Sequence, residues 1–99
     1  MTTYFVTRHL GALEWARQNN TPFDVHLIHL ASLGELQVGD VVIGTLPINL
    51  VCLLNEMAVR YIHLSLDIPA HLRGIELSAQ QLDAECHASL QEFIVHKVL

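Results

Sequence analysis

A run of β-branched residues from Val41 to Thr45, interrupted only by Gly44, constrains the fold of this 99-residue chain more than any other feature. A strand that is apolar on both sides must be covered on both faces, which is typical of a parallel sheet packed between helices. Pro47 follows directly, and proline is favoured in the first turn of a helix. The segment therefore predicts a buried strand that leads at once into a helix through Val51 and Leu54.

Similar strand and helix patterns occupy the rest of the chain. The predicted strands are Thr3–Val6, Val25–Leu30 and Tyr61–Asp67, and the predicted helices are Gly11 to about Asn19, a short turn within Ser32–Val38, and a last helix from Ser78 to about Val95. Ser78 and Gln81 have the spacing of a capping box at the start of that last helix. The order β-α-β followed by β-α-β-α predicts an α/β fold: a single, small, Rossmann-like domain over residues 1–99 with three layers and a mainly parallel sheet.

The composition limits the possible partners. Ten acidic residues against five lysines and arginines give a net charge of −5, which argues against binding long nucleic acid but not against a small nucleotide. The chain is 52 % hydrophobic and 15 % charged, so we expect an apolar face to be buried against a partner, most simply a second copy. It contains neither a membrane-spanning run nor a signal peptide, and a cytoplasmic location is expected.

The turn after the first strand is the first candidate site. Thr7, Arg8 and His9 follow the strand and Gly11 opens the helix, and ligands bind beyond the carboxyl ends of parallel strands in open α/β sheets. A cation, an imidazole and free helix N–H groups together suit a phosphate. The alternative is structural, with Arg8 paired to an acid such as Glu14 and His9 a solvated loop residue.

A second turn, at Gly44 and Thr45, repeats this arrangement after the Val41 strand and would share the same edge of the sheet. Glycine allows a close approach of backbone or ligand, and Thr45 supplies a hydroxyl. The alternative is a tight strand-to-helix turn in which Thr45 caps the helix. No spacing of cysteine and histidine matches a metal site, so no metal or other cofactor is expected. Cys52 and Cys86 are expected to be buried thiols.

Polar residues alternate along one side of the fourth predicted strand, at Tyr61, His63, Ser65 and Asp67. Either this face is exposed or forms an interface between subunits, or its far end enters the site. We expect Tyr61 and His63 to be structural or interfacial and Ser65 and Asp67 to approach the carboxyl edge. Arg73, in the following loop, is a second candidate cation, although it could instead pair with Glu76.

Several strings in combination resemble a known family. They are Tyr4 to His9 with Gly11-Ala12 and Glu14-Trp15-Ala16, Gly39-Asp40, Val42 to Pro47, Tyr61 to Asp67 with Pro69, and Arg73-Gly74 with Glu76-Leu77-Ser78. Together they resemble small CRISPR-associated accessory proteins of type III systems, the VVA-type family related to nucleotide-sensing CARF domains. The resemblance covers nearly the whole chain. Leu10 stands where many relatives have proline, which affects the rigidity of the turn and not its donors.

This resemblance implies a homodimeric ring nuclease with a CARF-like fold. Such an enzyme binds cyclic oligoadenylate, most simply cyclic tetra-adenylate, and linearises it to end antiviral signalling. The resemblance implies attack by the substrate's own 2′-hydroxyl, without a metal, to leave a 2′,3′-cyclic phosphate. The same interpretation makes Arg8 the phosphate ligand with support from Arg73, and makes His9 the general acid or base. Thr7, Gly11, Gly44, Thr45, Ser65 and Asp67 are the remaining candidate ligand-binding residues.

Two other classes of function remain open from the sequence. A sensor or sponge would bind cyclic oligoadenylate without turning it over. An interaction subunit of the CRISPR effector would neither bind nor cleave the messenger and would co-purify with effector proteins.

Overall fold

Strands and helices alternate along the computed structural model, which describes all residues from 1 to 99. In chain order the elements are β1 (Thr3–Val6), α1 (Leu10–Gln18), β2 (Val25–Leu27), β3 (Val41–Gly44), α2 (Ile48–Glu56), β4 (Arg60–Ser65), α3 (Ala79–Ala84) and β5 (Ser89–Phe93). One turn of 3₁₀ helix, Ala70–Leu72, lies between β4 and α3. None of the helices combines the length and the apolar character needed to cross a bilayer.

The strands form one sheet in the order β2-β1-β3-β4-β5. The β1–β2, β1–β3 and β3–β4 pairs are parallel, and the β4–β5 pair is antiparallel. The two crossovers leave the central β1–β3 pair in opposite directions, so the strand order reverses between β1 and β3. In open α/β sheets this reversal marks the crevice where ligands bind. The predicted small Rossmann-like fold with a mainly parallel sheet is confirmed.

Two apolar cores lie on opposite faces of the sheet and make the fold three-layered. On one face α1 and α3 pack together over Phe5 and Ile43, both at most 2 % exposed. On the other face α2 packs over Val42 and Tyr61. Because α1 and α2 lie on opposite faces while their crossovers run in opposite directions, the two β-α-β units have the same hand, as packing of twisted strands requires. Trp15 belongs to the first core.

The prediction that the last helix runs to about Val95 is wrong. Helix α3 ends at Ala84, and β5 then pairs antiparallel with β4. The chain reverses at His87, which has a positive φ of 51°. Leu82, Cys86 and Leu90 are spaced as on one face of a helix, although only Leu82 belongs to one. β5 instead pairs the outer backbone groups of β4, which would otherwise form an open sheet edge.

The predicted capping box at the start of α3 is confirmed. The Ser78 hydroxyl accepts a hydrogen bond from the Gln81 N–H at 3.2 Å, and the Gln81 side chain accepts one from the Ser78 N–H at 2.9 Å. Other boundaries differ from the prediction, since β2 ends at Leu27, β4 ends at Ser65, and Ser32–Val38 forms turns without a helix. Both cysteines are buried and free.

Candidate functional site

A cleft of about 770 Å³ opens at the carboxyl edge of the sheet. Its volume lies within the range of roughly 300–1,000 Å³ that is usual for small-molecule sites. Its polar lining comes from three segments, the β1–α1 turn, the β3–α2 turn and β4 with the loop that follows it: Thr7, His9, Thr45, His63, Arg73 and Glu76. Its apolar lining is aliphatic: Ala12, Leu64, Leu66, Ile68, Leu72, Ile75, Leu77 and Leu82. The topology thus brings together both predicted turns and the predicted Arg73 loop.

The carboxyl ends of β1 and β3 lie very close together because Gly44 has no side chain. A Cβ at this position would lie 2.9 Å from the Val6 carbonyl oxygen. Thr7, just beyond β1, accepts a hydrogen bond on its hydroxyl from the His9 N–H at 3.1 Å. The Thr7 carbonyl is 2.8 Å from Nε2 of His26, which holds the turn against β2. Gly44 therefore lets the two turns share one edge, and Thr7 shapes the first of them.

Both helices that start at this edge lack side-chain caps. The N-cap of α1 is His9 and that of α2 is Pro47, and neither helix start is capped by a side-chain hydrogen bond. The alternative in which Thr45 caps the second helix is therefore wrong. The first N–H groups of a helix have no partner within the helix, and they carry its positive dipole end. Two uncapped N-termini at one edge favour an anionic ligand there.

His9 forms an ion pair across the cleft mouth. Its Nδ1 lies 3.0 Å and 3.2 Å from the two carboxylate oxygens of Glu76. This contact joins the start of α1 to the loop before α3. The alternative in which Glu76 pairs with Arg73 is not found in the structure, and His9, although it is exposed to solvent, contacts Glu76.

Arg8 and Arg73 make no ion pair, and no carboxylate oxygen lies within 4.0 Å of either guanidinium. Glu14, the suggested partner of Arg8, binds Arg17 at 3.2 Å instead. Arg8 lines a neighbouring pocket of about 450 Å³ that shares Glu76 with the main cleft. Arg73 lines the main cleft itself. Two exposed cations of an acidic chain are thus available to an anion at one edge.

Gly11 lines the smaller pocket, and its missing side chain has a packing role. A Cβ there would lie 2.0 Å from the carbonyl oxygen of Leu77, a position that no real atom could take. The start of α1 therefore packs directly against the backbone that leads into α3. Leu77 lines both pockets.

Ser65 and Asp67 lie outside the cleft, although we expected them to approach it. The Ser65 hydroxyl donates to the side-chain oxygen of Gln91 at 2.8 Å, across the β4–β5 pair. The Asp67 N–H donates to the Cys86 carbonyl at 2.8 Å. Gln91 lies on β5, a strand that was missing from the prediction, and Cys86 lies in the turn between α3 and β5.

His63 is a lining residue that the sequence interpretation assigned to structure or an interface. Its Nδ1 lies 2.6 Å from the hydroxyl of Tyr61, which is buried in the α2-side core. The same hydroxyl accepts the Leu46 N–H at 2.9 Å and lies 2.9 Å from the Gly44 carbonyl oxygen. Burial raises the pKa of Tyr61, so the phenol remains protonated at neutral pH. The unusual polar alternation on a buried strand was the signal for this pair.

Comparison with known protein families gives one match. Residues 4–96 match the family model described as "Putative CRISPR-associated protein (Cas_VVA1548)". No curated protein and no solved structure matches the chain significantly. No three histidine, cysteine, aspartate or glutamate side chains are grouped so that they could hold a metal ion.

Proposed function

Because the chain belongs to the CRISPR-associated Cas_VVA1548 family, we propose that it is a ring nuclease of a type III system. It binds cyclic oligoadenylate, most simply cyclic tetra-adenylate, and linearises it to end the antiviral signal. The observation that carries this proposal is that Arg8 and Arg73 form no ion pair and lie beside two uncapped helix N-termini at the carboxyl edge. In a chain of net charge −5, this local excess of donors favours a phosphodiester.

The proposed reaction is an internal transesterification. The 2′-hydroxyl of one ribose attacks the adjacent phosphorus, the bond from phosphorus to the 5′-oxygen breaks, and a 2′,3′-cyclic phosphate forms. The protein must hold the attacking oxygen in line, stabilise charge on the phosphate and move protons. Arg8 and Arg73 supply the positive charge, and His9 supplies an imidazole at the cleft mouth. Thr7 and Thr45 position the nucleotide backbone at the two turns.

Ser65 and Asp67 have no part in this proposal, since neither lines the cleft and their hydrogen bonds go to the Gln91 side chain and the Cys86 carbonyl. Gly11 and Gly44 contribute to the site because they have no side chain. Each allows two backbone segments to approach so closely that the turns carrying the donors converge. The aliphatic side of the cleft offers a surface on which an adenine base can be shielded from water.

Exposed apolar side chains around this edge support a homodimer. Leu10, Ile28, Ile48 and Ile75 are 76 %, 62 %, 71 % and 53 % exposed. Leu10 and Ile48 begin α1 and α2, Ile28 directly follows β2, and Ile75 lies in the loop that lines the cleft. Large apolar groups clustered on one surface mark an interaction site. A two-fold axis there would place two clefts against one ring, which matches the symmetry of a cyclic ligand.

The experiment incubates the purified chain with cyclic tetra-adenylate in the presence of EDTA and identifies the products by mass spectrometry. We expect linear products that end in a 2′,3′-cyclic phosphate. Binding without turnover would replace the proposal by a sponge or sensor. Absence of both, with co-purification of effector proteins, would make the chain an interaction subunit.

A further inference from the structure

We propose that His63 is the general base of this reaction and that Tyr61 is the residue that positions it. This inference rests on the proposed function and deepens it, because it assigns the proton transfer that the reaction needs. His63 lies on β4 and lines the main cleft next to both turns. Sequence interpretation had given the acid or base role to His9 alone.

We assign the tautomer of His63 by counting protons around the Tyr61 hydroxyl. The hydroxyl accepts the Leu46 N–H and has one proton to donate, but both the Gly44 carbonyl oxygen and Nδ1 of His63 are within hydrogen-bond distance. A carbonyl can only accept, so the Tyr61 proton goes to Gly44. Nδ1 of His63 must then carry a proton and donate it to the Tyr61 oxygen. This is the one arrangement in which every contact is a hydrogen bond.

The proton on Nδ1 determines the state of the other ring nitrogen, Nε2. A neutral imidazole with its proton on Nδ1 has a free lone pair on Nε2. No group of the chain forms a hydrogen bond with Nε2 of His63, and the ring lies between Tyr61 and the edge of Phe93, at centroid distances of 5.7 Å and 5.9 Å. A histidine held on one side, with a free acceptor on the other, has the form of a general base.

Two histidines together account for the protons that move in the transesterification. Nε2 of His63 takes the proton of the attacking 2′-hydroxyl as the bond from that oxygen to phosphorus forms. The bond from phosphorus to the 5′-oxygen breaks, and the leaving oxygen takes a proton from the imidazolium of His9, which Glu76 holds in place. The imidazolium of His63 keeps its Nδ1 hydrogen bond to Tyr61 throughout. The other titratable or charged groups that line the cleft are Arg73 and Glu76.

The test compares His63→Asn with the wild-type chain. Asparagine retains a polar group near the position of Nδ1, so the Tyr61 hydroxyl keeps a partner, but it has nothing at the position of Nε2. We expect turnover of cyclic tetra-adenylate to fall by at least about 100-fold, with affinity and unfolding midpoint close to those of the wild type. His96→Ala, in the exposed C-terminal segment, is the matched control and keeps wild-type turnover.

Tyr61→Phe tests the positioning role. We expect kcat to fall by about tenfold with KM little changed and the pH–rate profile to shift, because the ring loses its acceptor for the Nδ1 proton. Nitrogen NMR of the wild-type chain should show the proton of neutral His63 on Nδ1. A wild-type chain that cleaves while His63→Asn cleaves equally well, or a proton found on Nε2, overturns the assignment of His63 alone. A wild-type chain that does not cleave overturns the proposed function and this inference with it.

Discussion

Nδ1 of His9 lies 3.0 Å from a carboxylate oxygen of Glu76, although 67 positions separate the two residues in the chain. The contact ties the turn that leads from β1 into α1 to the loop before α3, at the mouth of the main cleft. Both side chains are about two-thirds exposed, and exposed ion pairs contribute little to stability. The pair is therefore placed to orient an imidazole and not to hold the fold together.

Glu76→Gln tests that role. The amide keeps an oxygen near Nδ1 but loses the negative charge that faces the His9 ring, so we expect turnover of cyclic tetra-adenylate to fall by about tenfold while the unfolding midpoint stays within error of the wild type. Steady-state kinetics and thermal unfolding give the two readouts. Glu85→Gln, on an exposed residue outside both pockets, serves as the control. A Glu76→Gln protein that unfolds early but cleaves normally would show that the pair is structural.

Arg8 and Arg73 are expected to act on the phosphate. Removing either guanidinium from the edge removes a charged donor, and we expect Arg8→Ala to lower cleavage by at least about 100-fold. Arg73→Ala should lower affinity for cyclic tetra-adenylate, measured by isothermal titration calorimetry. Arg17→Ala is the matched control, because Arg17 is bound to Glu14 on the exposed side of α1. Near-normal cleavage by Arg8→Ala would remove Arg8 from the site.

Much of the fold could be predicted because local patterns agree with it. The run from Val41 predicted a strand covered on both faces, and the structure places it between two cores. The capping box at Ser78 located the start of α3 to the residue. In both cases the cause is local, since it depends on side chains within one strand or one helical turn.

The last strand could not be predicted because it depends on pairing with β4, which is distant from it in the sequence. Leu82, Cys86 and Leu90 fit a helix by spacing, and the antiparallel pairing with β4 that decides otherwise appears only once the sheet has formed. Ser65 bonds to Gln91 of that strand, and Asp67 bonds to the Cys86 carbonyl in the turn before it, so neither lines the cleft. The polar alternation on β4 indicated a structural or interfacial role for His63, which agrees with its contact to Tyr61, but it did not indicate that His63 also lines the cleft.

Gly11→Ala should destabilise the protein, because Gly11 packs directly against the Leu77 backbone. The added Cβ would lie 2.0 Å from the Leu77 carbonyl oxygen, so the start of α1 must move away from the backbone that leads into α3. Overpacking of this kind costs about 1–3 kcal/mol, which exceeds the helix propensity gained by replacing glycine. Urea unfolding measures the change. Gly34→Ala is the matched control, because its nearest contact would be an ordinary 3.6 Å from Ser32. Equal stability of the two variants would contradict the close packing at Gly11.

Asp40 should make stability depend on pH. Its carboxylate is buried and accepts hydrogen bonds from the Thr2 and Gln37 N–H groups, both at 2.9 Å, and these bonds lower its pKa. A carboxyl whose pKa is lowered by folding stabilises the protein above its unfolded value of about 3.9, and this contribution is lost as the pH falls through the folded value. The wild-type chain should therefore lose stability on acidification below about pH 4.

Asp40→Asn isolates this contribution, because the amide nitrogen cannot accept the second N–H. We expect the variant to unfold at a lower urea concentration than the wild type, with a constant difference between the two midpoints from about pH 5 to 8. That difference should shrink below about pH 4, because the wild-type carboxylate is then protonated. Urea midpoints measured across this range test the sign. Glu35→Gln, at an exposed residue without a hydrogen-bond partner, should show no pH-dependent margin. A margin for Asp40→Asn that stays constant down to pH 3 would mean that the hydrogen bonds to Thr2 and Gln37 do not depend on the charge.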